Sequence, residues 1–334
     1  MSDSAPTVTA AIATYNGRGL LEVVLSSLAR QTHDDLRVVV VDDASDDGTV
    51  EWLREQWPAV GVVVHPENRG VTAALNSCVR AGAGSEFVLL LNNDVELDPH
   101  CVQELIAALS AHPEAAVAGA KLLDYSRRDL LDGTGDVYSW AAIAHRRGQG
   151  EIDREQYDDE QEVFGACAAA ALYRTAAFAD VGLFDEQFFA LCEDIDWSFR
   201  ARLAGYGCRY APAAIAYHIG SASLGPRFSE FTLYQNWRNE IWLVAKNYPA
   251  SAFLRHAHDL ILGLLASVAV ALRRHCLRVL VRAWSDAARG LPEALSKRGA
   301  ITRRSGRREL EPLLQSGMSI AYEWFVLGRG RARR

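Results

Sequence analysis

The chain has 334 residues, of which 49% are hydrophobic and 23% charged, with a formal net charge of -7. This composition excludes a disordered chain, and the overall acidity argues against a nucleic-acid binder or a polybasic membrane protein. The average hides a division: residues 251–334 hold 16 Lys and Arg against 6 Asp and Glu, while residues 1–250 hold 19 against 36.

Val8 to Ala13 predicts a short buried strand. Leu21, Val24, Leu25 and Leu28 then recur at helical spacing. Leu36 to Val41 predicts a second strand, ending in Asp42-Asp43, and Thr49 to Gln56 a helix. Val60 to Val64 predicts a third strand, Val71 to Val79 a helix, and Phe87 to Leu91 a fourth strand ending in Asn92-Asn93-Asp94. Asp98-Pro99 predicts a helix start, with Asp as N-cap and Pro at the first helical position. Strands alternating with helices imply an α/β fold with a mostly parallel central sheet. Arg146 to Glu162 is dense in charge and reads as a mobile loop, either a solvated connection or a lid. Val163 to Leu172 predicts another strand, and Glu193 opens a helix that runs to about Leu203 and stops at Gly205.

In open α/β sheets, ligands bind beyond the carboxyl ends of the strands. The polar clusters Thr14-Tyr15-Asn16, Asp42-Asp43 and Asn92-Asn93-Asp94 fall at those ends. Asp94 supplies an anion of the kind that holds Mg²⁺ or Mn²⁺ together with substrate phosphates; the plain alternative is a turn. On the Glu193 helix, Ile195, Phe199 and Leu203 form a buried stripe, leaving Asp194 and Trp197 together on the opposite face. A carboxylate beside an aromatic ring suits a base next to a sugar-stacking surface, whereas acids at a helix start also simply complement its dipole. His218 closes the apolar segment Ala213 to Tyr217. Neither GxxxxGK[ST] nor, after the first strand, GxGxxG occurs, which removes the main support for NTPase and dinucleotide readings. The six cysteines form no CxxC pair, and a reducing compartment is expected. The first ten residues predict no signal peptide.

The segments ATYNGRGLLEVVLSSLARQT, VVVVDDASDDGT, ENRGVTAALN, LLLNNDVELDP, VGLFDEQFF, CEDIDWSFRARLAGY, YHIGSAS and NWRNEIWLVAKNYP, in this order over residues 7–249, resemble the family 2 glycosyltransferases of the GT-A fold, in the bacterial rhamnosyltransferase-like branch. The resemblance implies inverting transfer of a sugar from a nucleotide-diphosphate donor (a dTDP- or UDP-sugar, with dTDP-rhamnose as one option) to an acceptor hydroxyl. It implies donor contacts from Thr14, Tyr15, Asn16, Asp43, Asn68, Arg69, Gly70, Asn76, Asn92 and Asn93. It places a divalent Mg²⁺ or Mn²⁺ on Asp94 with His218, the general base on Asp194, and the acceptor against Gly165, Glu193 and Trp197. Asn92 stands where the family's DxD-type motif has its first carboxylate, which removes a charge from the metal site. The implied division is a GT-A domain over residues 1–225, with a donor half to about residue 120 and an acceptor half after it, followed by a helical, basic region over 226–334.

Leu260 to Leu272 carries no charge but is too short to span a bilayer as a helix. Arg274, Arg278 and Arg282 repeat every fourth residue beside a stripe of Leu277, Leu280, Val281 and Trp284. A basic amphipathic helix of this kind lies on an anionic membrane, and further basic residues follow at Arg303-Arg304, Arg307-Arg308 and Arg329 to Arg334. The expected setting is the inner face of the plasma membrane, with a lipid-linked or polysaccharide acceptor of the cell envelope. Two alternatives stand beside this reading. One is a sugar-nucleotide pyrophosphorylase, for which TYNGRG is a poor phosphate loop; the other is a non-catalytic nucleotide-sugar-binding scaffold at the membrane.

Overall fold

A computed structural model describes residues 5–220 and 229–317. The first half alternates strand and helix as the periodicity predicts: β1 (Val8–Thr14), α1 (Arg18–Leu28), β2 (Leu36–Asp42), α2 (Thr49–Gln56), β3 (Gly61–Val64), α3 (Val71–Ala81), β4 (Phe87–Asn92), β5 (Val95–Leu97), α4 (Cys101–Ala111) and β6 (Ala115–Asp124). The second half is more broken: β7 (Leu131–Gly133), β8 (Asp136–Ser139), β9 (Ala144–Arg146), β10 (Gln161–Glu162), β11 (Ala170–Arg174), α5 (Ala177–Val181), α6 (Glu193–Leu203) and β12 (Gly207–His218). The basic region forms α7 (Glu230–Asn247), α8 (Ala250–Arg255), α9 (Ala257–Arg273), α10 (Leu277–Ser296), α11 (Arg307–Leu310) and β13 (Leu314–Gln315).

The main sheet runs β10-β12-β6-β11-β4-β1-β2-β3, with β5 paired to β12 and β7 to β6. The expected parallel pairing holds for β4, β1, β2 and β3. Beyond β4 the sheet is mixed, because β11 runs antiparallel between β4 and β6. Strands buried on both faces read as continuous apolar runs, and Phe87 to Leu91 is one, buried throughout between α-helical layers.

Register sets the chemistry. Thr14 pairs with Asp42 and Ala13 with Asn92, so three strands end at one level. On the far side, His218 pairs with Val95, and the Ile219 amide donates to the Asp94 carbonyl at 3.0 Å.

Three local expectations change. The helix after Pro99 begins at Cys101, because Asp98 turns the chain first, accepting from the His100 amide at 3.0 Å. The strand expected from Val163 is confined to Ala170–Arg174; residues before it cross under the cavity, where Gly165 bridges to Asp136. The charged stretch 146–162 is anchored by Lys121, which pairs with Asp153 at 3.0 Å and with Asp158. Ser221 to Ser223 of the YHIGSAS segment and Arg329 to Arg334 lie outside the described residues.

The basic region folds back on the rest of the chain. α10 packs on α7, Lys297 pairs with Asp185 at 2.7 Å, and β13 adds to β8 in a small second sheet. Among the described residues, no helix is long and apolar enough to cross a membrane.

Candidate functional site

A cavity of about 720 Å³ opens beyond the aligned strand ends. Thr14, Tyr15, Asp43, Asn68, Gly70, Asn92, Asn93 and Asp94 form its first wall. Asn93 donates to the Thr14 hydroxyl at 2.9 Å, which ties two strand ends together. Tyr15 is 45% exposed, leaving its ring face open. Asp43 accepts from the Gly70 amide at 2.8 Å, the Arg69 amide at 3.0 Å and His65 Nδ1 at 2.7 Å. Its carboxylate thus shapes the 65–70 loop, and His65 is in turn fixed by Ser77 at 2.8 Å. Gly70 has φ 87°, and a Cβ there would sit 2.5 Å from the Phe189 ring, so the close approach requires glycine.

Asp94 and His218 meet at the cavity floor, with Oδ1 and Nε2 3.3 Å apart. The Asn92 amide lies 3.4 Å from the same nitrogen. His218 Nδ1 bonds Asp132 at 2.7 Å, and Asp132 also pairs with Arg146. Burial alone would raise the Asp132 carboxyl, but Arg146 and the His218 hydrogen bond outweigh it and hold it well below the usual carboxylate range. Burial disfavours a charged His218, yet its hydrogen bonds to Asp132 and Asp94 move it above the ordinary imidazole value. One carboxylate oxygen and one imidazole nitrogen suit a divalent ion completed by diphosphate oxygens and water. Among the described residues, no three His, Cys, Asp or Glu side chains form a cage by themselves, so the donor set fits an ion shared with a substrate.

The second half of the chain also lines the cavity with Asp136, Glu193 and Asp194. Asp194 lies in the first turn of α6, and its Oδ1 accepts from the Ile195 amide at 2.8 Å. Burial raises its carboxyl, against the Ile195 hydrogen bond and the charge of Arg146. Glu193 is pushed up to about 8 by burial and by Asp194, and its Oε2 is buried with no hydrogen-bond partner. Asp136 is raised well above its ordinary value for the same two reasons. At neutral pH Glu193 is therefore mainly a neutral acid beside Asp194.

The approach to α6 is strained: Phe189, Leu191 and Cys192 take φ of 63°, 68° and 68°. Asn239 of α7, fully buried, holds this turn with one amide that donates to the carbonyls of Phe188, Ala190 and Leu191 at 3.1, 2.9 and 2.8 Å.

Several sequence-predicted residues stand elsewhere. Trp197 is fully buried, its ring NH donating to the Gly182 carbonyl at 3.0 Å and its ring 5.0 Å from those of Tyr173 and Phe178. The amphipathic reading fails because α6 is covered on both sides: Ile195 and Phe199 enter one apolar cluster, Trp197 and Ala201 another. Gly165 lies beneath the wall against Ser198. Asn76 clamps the Phe184 backbone through two 2.9 Å hydrogen bonds, Arg69 pairs with Glu186 at 2.9 Å, and Asn16 orders the 45–46 turn. None of these five lines the cavity. Asp132, Asp136 and Arg146, which line the cavity, and Asn239, which holds the turn before α6, are residues that the sequence did not disclose. The available signal was the isolated Asp132-Gly133-Thr134-Gly135 turn and the second Asn in NWRNEIW.

The model of the family described as Glycosyl transferase family 2 matches residues 9–182. A curated relative, N-acetylglucosaminyl-diphospho-decaprenol L-rhamnosyltransferase of Mycobacterium tuberculosis, is 27% identical over 253 residues, covering 67% of this chain and 79% of its own. Poly-beta-1,6-N-acetyl-D-glucosamine synthase of Staphylococcus aureus is 24% identical, covering 71% of this chain and 55% of its own. Among solved structures, the mannosyltransferase PcManGT from Pyrobaculum calidifontis, in complex with GDP-Man and Mn²⁺, is similar at TM-score 0.53 and 18% identity, over 98% of this chain and 85% of that one. GalNAc-T7 with UDP, GalNAc and Mn²⁺ is similar at TM-score 0.59 and 14% identity over 75% of this chain, which spans about half (49%) of that one. At these identities the structural likenesses establish the fold alone.

Proposed function

The chain belongs to glycosyl transferase family 2 and is a glycosyltransferase; from that premise we propose that it is an inverting enzyme that moves a sugar from a nucleotide-diphosphate donor to a hydroxyl of a lipid-linked or polysaccharide acceptor of the cell envelope. The observation that carries this reading is that Asp94, His218 and Asp194 line one cavity, with Asp94 and His218 paired at 3.3 Å. The donor is a dTDP- or UDP-sugar, with dTDP-rhamnose favoured by the likeness to the mycobacterial L-rhamnosyltransferase.

Tyr15 offers its exposed ring to the nucleobase, and Asn68 and Gly70 bound the same end of the cavity. Asp94 and His218 would hold a divalent ion against the diphosphate; when bound, that ion supplies positive charge to the leaving nucleotide. Asp132 and Arg146 fix the His218 ring so that Nε2 faces Asp94. Asp194 takes the proton from the acceptor hydroxyl as the oxygen bonds to the anomeric carbon and the bond to the diphosphate breaks. One such displacement inverts the anomeric centre and needs one base. A retaining hydrolase would need two facing carboxyls about 5 Å apart, whereas Glu193 and Asp194 are neighbours in one chain and Glu193 is largely protonated. Glu193 instead gives the acceptor side a neutral hydrogen-bonding acid.

The exposed apolar and arginine-rich faces of α9 and α10 support a peripheral position on the inner face of the plasma membrane. The division near residue 225 then separates the transferase domain from its membrane-facing helices. A thermal-shift screen of nucleotide sugars with Mg²⁺ or Mn²⁺ tests the donor assignment, since a ligand that binds only the folded state raises its melting point. A stabilising nucleotide sugar whose effect requires the metal is the expected result; no response from any dTDP- or UDP-sugar would overturn it.

A further inference from the structure

α7 runs past two cavities. Its first turns present Phe231, Thr232 and Asn236 to the catalytic cavity. Its later turns present Trp237, Glu240, Ile241 and Val244 to a second cavity of about 380 Å³, closed on its other sides by residues of α9 and α10 such as Leu264 and Trp284. That volume is in the range of small-molecule sites. Glu240 is the one ionisable residue lining it, and burial pushes its carboxyl up to about 8, so the walls are uncharged at neutral pH. A cavity of this character excludes charged and strongly hydrated ligands and accepts hydrocarbon.

The surroundings say where hydrocarbon would come from. Nine of the fifteen exposed large apolar side chains among the described residues fall between Leu254 and Leu295. Leu264 and Leu295 belong both to this set and to the cavity lining, so the groove opens onto that apolar face. Leu254 is 89% exposed and Ile261 57%, while Arg273, Arg278 and Arg282 stand exposed beside them. An apolar face flanked by arginines is complementary to an anionic lipid surface, and a patch of this kind marks an interaction site.

We propose that the groove between α7, α9 and α10 takes the hydrocarbon chain of the membrane lipid that carries the acceptor, so that α7 leads from the bound chain to the catalytic cavity where the lipid's head group is glycosylated. This rests on the lipid-linked acceptor reading above. The groove fixes the chain and the cavity fixes the head, so the acceptor hydroxyl is delivered to Asp194 from the α7 side.

The test is photolabelling of the full-length protein by a benzophenone-tagged farnesyl phosphate carried in phosphatidylglycerol vesicles, with adducts mapped by peptide mass spectrometry. Adducts on α7 and α9 at the groove, around Ile241, Val244 and Leu264, are expected. Leu264→Trp, at a half-exposed position that tolerates bulk, fills the groove and should cut those adducts at least about tenfold, as steric changes in apolar pockets do, while vesicle pelleting is kept. Leu254→Glu, outside the groove, should leave groove adducts in place. Adducts confined to the outer face around Leu254 and Leu265, no adducts at all, or a dimer that covers the groove and blocks labelling would each overturn the proposal. Labelling is read without turnover, so it stands or falls separately from donor binding and transfer.

Discussion

The two walls of the candidate site, one from each half of the chain, are built on opposite principles. The wall from the first half of the chain stands on parallel strand ends, and its polar side chains are tied to backbone and to one another: Asp43 to the Gly70 and Arg69 amides, Asn93 to Thr14. The wall from the second half rests on short strands and a strained turn, and it buries acids with unmet capacity, Asp136 Oδ2 and Glu193 Oε2 among them. A wall of satisfied polar groups is preorganised to receive a ligand whose charge it does not need to change. A wall of desolvated carboxyls is suited to handling a proton, because burial moves carboxyl affinity toward neutral pH. On the proposed function, binding falls to one wall and proton transfer to the other, and substitutions can separate them.

The largest effect is expected at Asp194. Asp194→Asn should lower kcat by about 10³-fold, the scale of a lost general base, with donor binding by calorimetry unchanged. Near wild-type turnover would remove Asp194 from the proton-transfer role and break the comparison. On the other wall, Asp94→Ala should weaken metal-dependent donor binding by roughly 10–100-fold; equal donor affinity with and without metal in the wild type would show that this wall works without a cation.

Glu193→Gln sharpens the contrast within the second wall. Glu193 titrates near 8 in the folded protein, above the ~4.3 of an unfolded chain. The folded state therefore binds the extra proton between those values, and stability falls as pH rises through that window. The Gln variant should flatten the fall, gaining about 4 kcal/mol more at pH 9 than at pH 5, with kcat retained. A parallel loss of kcat would make Glu193 a partner in the chemistry. The smallest effect belongs to Trp197→Phe, which removes the hydrogen bond to Gly182: about 1 kcal/mol of stability, with acceptor KM unchanged. A raised acceptor KM at full stability would return Trp197 to the acceptor site.

The two walls also differ in how legible they were. The first wall could be read directly, because long apolar runs followed by Asp42-Asp43 and Asn92-Asn93-Asp94 are local signals, and parallel pairing brings such ends together. The second wall could not. Asp132, Asp136 and Arg146 sit on or beside strands of three or four residues, too short to show a period. Trp197 was misplaced by a sound rule in the wrong setting: a stripe at Ile195, Phe199 and Leu203 predicts one buried face, but α6 lies between two apolar clusters and has no free one. Asn239 looked like an ordinary helical residue, and its role exists only where three carbonyls of a strained turn converge on it.

By itself, the sequence determined the alternation of strands and helices, the polar strand ends, the start of α6 at Glu193 and the split between an acidic body and a basic tail. Each of these is a property of neighbours in the chain, set by side-chain period and local charge. Tertiary structure alone decided which groups meet. It carried His218 to Asn92 across 126 positions, set Arg146 between the two walls through Asp132, and turned the basic tail into a groove-bearing helical layer on the transferase. Contacts of that range depend on strand order and packing, which no local pattern encodes.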